Sequence, residues 1–139
     1  MKYIKLSLLI CVTFLLFPSC NNDDDNTNSS TTINGTWHLK NVRGGFVGIN
    51  IDYNRGEVIY DFNLNNNTVD ITNNILTTGP EDIYAGLDSG TYSIRIEQNG
   101  AIETLFIDNV DKGTIDLQGN TLQLDDNIAA DGFLTEFER

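Results

Sequence analysis

Residues 91–100 read TYSIRIEQNG, and this stretch decides the fold. Every second residue from Tyr92 to Ile96 is apolar and its neighbours are polar, which is typical of a β-strand with one buried face. The pair Asn99-Gly100 is the strongest short signal for a hairpin turn, because both residues tolerate positive φ. The stretch therefore predicts a strand that turns tightly into an antiparallel partner.

Similar short runs recur along the chain, without a sustained helical period and without an internal repeat. In the run at residues 102–107, the fifth along the chain, it is ambiguous which positions face inward, because Ile102 and Phe106 are apolar as well as Leu105 and Ile107. The alternating positions of the eight predicted strands are, in order, Trp37 and Leu39; Val58, Tyr60 and Phe62; Val69 and Ile71; Tyr92, Ile94 and Ile96; Leu105 and Ile107; Ile115 and Leu117; Leu122 and Leu124; and Phe133, Thr135 and Phe137.

Turn residues separate these runs. Residues 65–67, residues 111–113 and the pair Gly119-Asn120 are rich in Asn, Asp and Gly, and we predict a tight turn at each. Short connections make neighbouring strands antiparallel. The pattern predicts an all-β fold, a single antiparallel eight-stranded up-and-down barrel that closes and leaves no free edges. The alternative is an open two-sheet sandwich.

The N-terminal residues form a leader rather than part of this fold. Lys2 and Lys5 precede a mostly apolar stretch, residues 6–17, which is too short to span a membrane and has the length of a signal-peptide core. The following Phe17-Pro18-Ser19-Cys20 resembles a bacterial lipobox. The resemblance implies a lipoprotein signal peptide at residues 1–19 and acyl chains on Cys20, a stable membrane anchor. The alternative is an ordinary secretory signal with an incidental cysteine.

A polar tether is predicted between the anchor and the domain. Residues 21–32 contain only Asn, Asp, Ser and Thr, so we expect residues 20–32 to be disordered and to reach at most about 40 Å. Residues 23–25 are all Asp, which resembles the acidic export signal of some Gram-negative lipoproteins. The resemblance implies the outer membrane with exposure at the cell surface. The periplasmic leaflet is the alternative.

The two ends of the domain, residues 33–139, carry a family resemblance. Gly35-Thr36-Trp37 on the first strand and Arg139 on the last resemble the lipocalin (calycin) pattern, in which a terminal cation stacks on the indole and closes the barrel. The domain is also similar to the lipocalin-like domain of small Gram-negative lipoproteins, through residues 44–46, 89–92 and 131–133. The resemblance implies a lipocalin-like barrel with Trp37 and Arg139 as its closing pair.

A ligand site is expected at the barrel mouth, since lipocalins place a lid after the first strand. Two long loops, residues 43–56 and 73–90, are rich in glycine and apolar residues. They form either a lid over a ligand or a plug over a filled core. An eight-stranded barrel is just wide enough to be filled by side chains or to hold one small ligand. The candidate ligand and lid residues are Phe46, Ile49, Tyr53, Tyr60, Tyr84 and Tyr92.

Composition argues against several classes of function. The net charge of −12 and only 8 basic residues leave no surface for nucleic acid. With His38 as the one histidine and no cysteine after Cys20, a nucleophilic triad or a zinc site lacks its residues. The Asp-rich turns do not have EF-hand spacing, and no carboxylate pair for glycoside hydrolysis stands out. We therefore expect neither a metal, nor a cofactor, nor an enzyme.

The sequence thus predicts a monomeric binding protein attached to a membrane through its N-terminal lipid, holding a small apolar or amphipathic ligand. The alternative is a filled barrel that contacts proteins or glycans through its loops. The two differ in one observable property. An apolar internal cavity of about 300 Å³ or more supports the first, and a solid interior supports the second.

Overall fold

The computed structural model describes residues 32–139, so the predicted signal peptide, Cys20 and all but the last residue of the predicted tether lie outside the described residues. Within that range the chain forms nine β-strands, one short α-helix and one 3-10 turn. The elements in chain order are β1 (Gly35–Gly44), β2 (Ile49–Asp52), β3 (Val58–Asn63), β4 (Thr68–Asn73), α1 (Pro80–Tyr84), β5 (Gly90–Asn99), β6 (Ile102–Ile107), β7 (Val110–Gln118), β8 (Thr121–Asp126), the 3-10 turn (Ile128–Ala130) and β9 (Phe133–Glu138).

The sheet closes into a barrel. From β3 to β9 each strand pairs antiparallel with the next, and β1 pairs with β3 on one edge and with β9 on the other. The closing pair is seen in register at Leu39↔Phe137 and Val42↔Thr135. The predicted eight-stranded antiparallel barrel is therefore confirmed, and the chain is not an open sandwich.

A ninth strand lies where the sequence predicted only a loop. β2 pairs with the second half of β1, for example Val42↔Ile51, while the first half of β1 pairs with β3. The register with β9 shifts between Leu39 and Asn41, so β1 carries a bulge at Lys40. A strand of four residues is too short for its alternation to stand out from the glycines around it.

The turns agree with the sequence at two of four places. Residues 64–67 and the pair Gly119-Asn120 form turns as predicted, and the turn after β5 starts one residue late, at Gly100. The predicted turn at residues 111–113 is wrong, because these residues lie inside β7. The true turn is Asp108-Asn109, where both residues have positive φ.

The core occupies the barrel interior. Leu105 and Ile107 of β6 point inward and are buried, whereas Ile102 is exposed, which resolves the ambiguous parity. Phe106 lies on the outer face, where the Arg95 guanidinium carbon is 4.1 Å from its ring centroid. The side chains with almost no exposed surface are Trp37, Leu39, Val58, Phe62, Val69, Leu105, Ile107, Leu122 and Phe137.

An ion pair joins β1 to β9 on the outer surface. Lys40 Nζ lies 2.7 Å from Glu136 Oε1, and Gln123 Nε2 donates a hydrogen bond to Glu136 Oε2 at 3.0 Å. The hydrogen bond from Lys40 is the largest influence on Glu136, and it holds the pKa of that carboxyl below its usual range against the opposing effect of partial burial.

We predict that the charge of Glu136 stabilises the fold at neutral pH and ceases to do so in acid. A carboxyl whose pKa is lower when folded contributes stability above its unfolded pKa, and that contribution disappears as the pH falls through the folded pKa. In urea unfolding, Glu136→Gln should be slightly less stable than the natural sequence at about pH 7, and the difference should close toward about pH 3. An equal difference at both pH values would contradict the role of the charge.

Candidate functional site: the mouth of the barrel

One end of the barrel is sealed by an aromatic ring and a cation. Trp37 Nε1 donates a hydrogen bond to the Ile33 carbonyl at 2.7 Å, and the Arg139 guanidinium carbon lies 3.9 Å from the Trp37 ring centroid. Arg139 Nη2 also donates to the Thr32 carbonyl at 2.7 Å. Burial lowers the pKa of the Arg139 guanidinium from its usual value. The structure thus brings the predicted closing pair into contact.

The opposite end holds a cavity of about 320 Å³ that is partly open to solvent. Its floor is made of inward-facing strand residues, which are Leu39, Val42, Tyr60, Ile107, Leu124, Thr135 and Phe137. Its upper wall is α1 with the two residues that follow, so Ile83, Tyr84, Ala85 and Gly86 lie over the opening. Side chains therefore do not fill the barrel completely, because this cavity remains at the mouth.

The position of α1 depends on a tyrosine from the segment after β2. Tyr53 is buried, and its hydroxyl donates a hydrogen bond to the Glu81 carbonyl at 3.0 Å. Burial raises the pKa of Tyr53 to about 12, so the hydroxyl keeps its proton and its donor role well above neutral pH. α1 belongs to the loop between β4 and β5, residues 74–89. At the end of that loop, the Ser89 hydroxyl donates a hydrogen bond to the Asn73 carbonyl at 3.2 Å. These contacts hold the helix across the mouth.

Four aromatic rings line the cavity in two pairs. The rings of Tyr60 and Phe137 are 5.0 Å apart with an edge-to-face angle of 63°, and those of Tyr84 and Phe133 are 5.6 Å apart. Edge-to-face and tilted pairs are the preferred aromatic arrangement, so the rings form rigid walls. Burial raises the pKa of Tyr60, and the backbone N–H of Leu87 partly offsets that effect. The Tyr60 hydroxyl therefore stays neutral at physiological pH.

Three of the residues in the range 32–139 that line the cavity are charged. Asp111, Lys112 and Asp126 line the cavity where it opens to solvent. Asp111 Oδ1 accepts a hydrogen bond from the Gly113 N–H at 2.8 Å. Within residues 32–139, Lys112 and Asp126 form no ion pair within 4.0 Å and no side-chain hydrogen bond. The site is thus an apolar pocket with a charged opening.

Of the predicted ligand and lid residues, two line the cavity. Tyr60 and Tyr84 do so, as described above. Phe46 is 89% exposed on the β1–β2 turn. Ile49 and Tyr92 pack against the core elsewhere, and the Tyr92 hydroxyl donates to the Asp88 carbonyl at 2.9 Å. Tyr53 acts on the site through α1 rather than by lining it.

Sequence reasoning missed the rim and part of the wall. Lys112 belongs to a turn in the prediction but lies in β7, and a shift of register between β6 and β7 accompanies its inward position. Val110 is opposite the inward Ile107, and Ile115 is opposite the inward Leu124, so the inward parity changes between positions 110 and 115. Alternation alone gives no signal for such a change.

Two other concave regions are less suited to a ligand. A cavity of about 340 Å³ near the sealed end, between Leu64, Ile96 and Leu117, includes Glu103 in its lining and has no aromatic ring. A groove of about 310 Å³ between β7 and β8 is lined by Asp111, Asp125 and other polar residues. Of these three regions of residues 32–139, the mouth cavity combines apolar walls with aromatic side chains.

The described residues offer little for metal chemistry. In residues 32–139 no group of three or more His, Cys, Asp or Glu side chains is arranged to hold a metal ion. His38 lies half-buried on the outer face of β1, between Ile59 and Glu138, and not in the cavity. In the same part of the chain no helix has the length and apolarity to cross a membrane.

Comparison of the chain with protein-family models, with curated proteins and with solved structures finds no match. The geometry of the mouth is therefore the basis for the function proposed below.

Proposed function

We propose that this chain is a lipid-anchored, extracytoplasmic, lipocalin-like protein of the outer membrane, exposed at the cell surface, that binds a small apolar or amphipathic ligand. The observation that carries the binding role is the cavity of about 320 Å³ at the mouth. Small-molecule sites are concave, mostly apolar, and occupy about 300–1,000 Å³, so this cavity has the size of a small-ligand site.

The lining supports the same role. Leu39, Val42, Leu124 and Phe137 provide apolar contact, and the Tyr60 hydroxyl is a polar group able to orient a ligand. Ile83 of α1 lines the cavity and is nevertheless 71% exposed, which leaves apolar surface that an occupant would cover. Bound ligand would therefore bury side chains that now face water.

We predict that filling the cavity abolishes binding without unfolding the barrel. Thr135 faces inward between Val42 and Leu124, so a Thr135→Phe side chain projects into the empty volume. With the fluorescent apolar probe N-phenyl-1-naphthylamine, the natural sequence should bind and Thr135→Phe should bind at least about ten-fold more weakly. Native mass spectrometry of the purified protein should also show a small molecule that co-purifies with the natural sequence only.

Thr72→Phe is the matched control, because Thr72 is exposed on the outer face of β4 and lines no cavity. It makes the same change of side chain and should leave probe binding unaltered. Equal binding by Thr135→Phe would mean that the probe sits elsewhere, and the cavity would not be the ligand site.

The membrane attachment has its own test. The lipobox resemblance at residues 17–20 predicts that Cys20 carries acyl chains, and Cys20→Ala should leave an unacylated precursor. Intact-mass spectrometry of protein extracted from membranes should show the added acyl mass on the natural sequence and none on the variant. The absence of acyl mass on the natural sequence would remove the anchor from the proposal.

Exposed apolar side chains on the loops favour a second candidate, an interaction protein that uses its loops. Phe46, Val47 and Leu76 are 89%, 78% and 96% exposed. In this alternative, replacing Phe46 and Val47 together by Ser removes a protein or glycan contact detected by cross-linking on intact cells. The same double variant should leave binding of N-phenyl-1-naphthylamine unchanged, which separates the two candidates.

A further inference from the structure

We propose that the mouth cavity selects amphipathic cations, that is, ligands that carry an ammonium group on an apolar body. This inference rests on the proposed ligand-binding function and specifies its ligand. Three features of the mouth carry it: the aromatic rings, the charge of the surrounding loops and the free carboxylate at the rim.

The aromatic walls favour a cation over an anion. The faces of aromatic rings carry negative electrostatic potential, which attracts ammonium groups and repels carboxylates. Tyr60, Phe137, Tyr84 and Phe133 form two pairs around one cavity, so an ammonium group there meets more than one ring. Because the site is partly closed by α1, the attraction acts with limited competition from water.

Three loops around the mouth carry only acidic charges. Residues 74–89, 108–109 and 127–132 connect strands at this end and contain no basic residue, whereas the segment before β3 contains Arg55, which is paired with Glu138. Clefts lined by one sign of charge concentrate counter-ions, and the net charge of −12 adds to this field. The acidic residues of these loops are Glu81, Asp82, Asp88, Asp108 and Asp131, and the adjoining strand ends add Asp111 and Asp126.

The rim offers a carboxylate that nothing else uses. Within residues 32–139 the Asp126 side chain is exposed, lines the cavity and forms no hydrogen bond or ion pair. Asp111, also at the rim, uses one oxygen for the Gly113 N–H and has the other free. An ammonium group lodged among the rings would thus have carboxylate oxygens at the opening.

Lys112 is the feature that opposes this selection. Among residues 32–139 it is the one cationic side chain that lines the cavity, and it is the group to which an anionic ligand would bind. Two carboxylates at the same rim outnumber it, so the net charge of the lining is negative. Replacing Asp126 and Lys112 one at a time tests which of the two charges decides the selection.

The test compares the binding of three probes with the same alkyl chain length, octyltrimethylammonium, octanol and octanoate. Each is titrated into the intact protein, and binding is measured by isothermal titration calorimetry. The cation should bind about ten-fold more tightly than octanoate, with octanol between them, and the preference should fall with added salt. Asp126→Asn should weaken binding of the cation by about two- to five-fold and leave octanol unchanged. Lys112→Gln should strengthen binding of the cation.

Asp116→Asn is the matched control. It makes the same change of charge on the outer face of β7, where Asp116 accepts hydrogen bonds from Gln118 and lines no part of the mouth cavity. It should leave binding of all three probes unchanged.

The outcomes separate this inference from the proposed function. If octanol or octanoate binds as tightly as the cation, or if Lys112→Gln weakens the tightest probe, the cavity is a ligand site and the cation preference is overturned. If none of the three probes and no N-phenyl-1-naphthylamine binds, the proposed function fails and this inference fails with it.

Discussion

Trp37→Ala should lower the free energy of unfolding by about 3–5 kcal/mol, the usual cost of removing a large aromatic side chain from a core. The side chain of Trp37 is fully buried. Its truncation leaves a cavity beneath Arg139, removes the hydrogen bond to the Ile33 carbonyl and takes away the ring on which the guanidinium rests. Both contacts are lost together with the packing of the ring.

Phe106→Ala is an informative control for this prediction. Phe106 also lies against a guanidinium, that of Arg95, but on the outer face of the barrel, where it is only half-buried. Its truncation should cost about 1 kcal/mol, since water already reaches the ring. Urea unfolding measures both values. A loss below about 1 kcal/mol for Trp37→Ala would show that the sealed end does not stabilise the barrel.

Gly113→Ala should have a comparable effect, about 3–5 kcal/mol, for a different reason. Gly113 is buried in β7 with φ of +105°, a backbone conformation that side chains with a Cβ rarely adopt. A Cβ there would lie 2.5 Å from the carbonyl carbon and oxygen of Asp125 and 2.7 Å from the backbone nitrogen of Asp126. Because these are backbone atoms, β7 and β8 would have to separate.

Gly35→Ala distinguishes backbone strain from steric overlap. Gly35 has nearly the same φ, +101°, but a Cβ at that position meets nothing within 4 Å. We expect Gly35→Ala to cost only the strain, about 1–3 kcal/mol. Equal losses of stability in the two variants would mean that β7 and β8 do not approach as closely at Gly113 as the structure places them. Since Gly113 adjoins Lys112 at the rim, Gly113→Ala should also disturb the mouth of the barrel, whereas Gly35→Ala should not.

The sequence was sufficient to predict the barrel because burial imposes a strict alternation on each strand. The runs at residues 68–72 and 92–96 alternate without a break, and both are barrel strands. Pairing with the neighbouring strand then settles which residues of β6 face inward, a point that alternation left open. Once β6 pairs with β5, Leu105 lies opposite the inward Ile96, and Ile102 is left at the exposed end.

The errors in turns and strands have a common physical origin. Gly113 has the composition of a turn, but the chain needs glycine there because β8 passes too close for a Cβ. That requirement comes from residues 12 and more positions away in the sequence, and no local pattern reports it. The actual turn uses Asp108-Asn109, where short polar side chains tolerate positive φ without glycine.

The candidate site was less predictable than the fold. Tyr60 was found because strand parity placed it inside, and Tyr84 because its loop faces the mouth. Phe46 was expected in the lid because it is apolar and its loop follows the first strand, where lipocalins place a lid, but it lies on a hairpin turn and its side chain is exposed. The wall formed by α1 depends in part on the Tyr53–Glu81 hydrogen bond, a contact between segments that are distant in the sequence.

The arrangement of the chain ends gives the barrel a direction. Thr32 lies beside Arg139 at the sealed end, joined to it by a hydrogen bond, while the pocket opens at the far end of the strands. The residues that precede Thr32 in the sequence therefore join the barrel at its sealed end. Under the proposed anchor at Cys20, the point of attachment and the opening of the pocket would therefore lie at opposite ends of the strands.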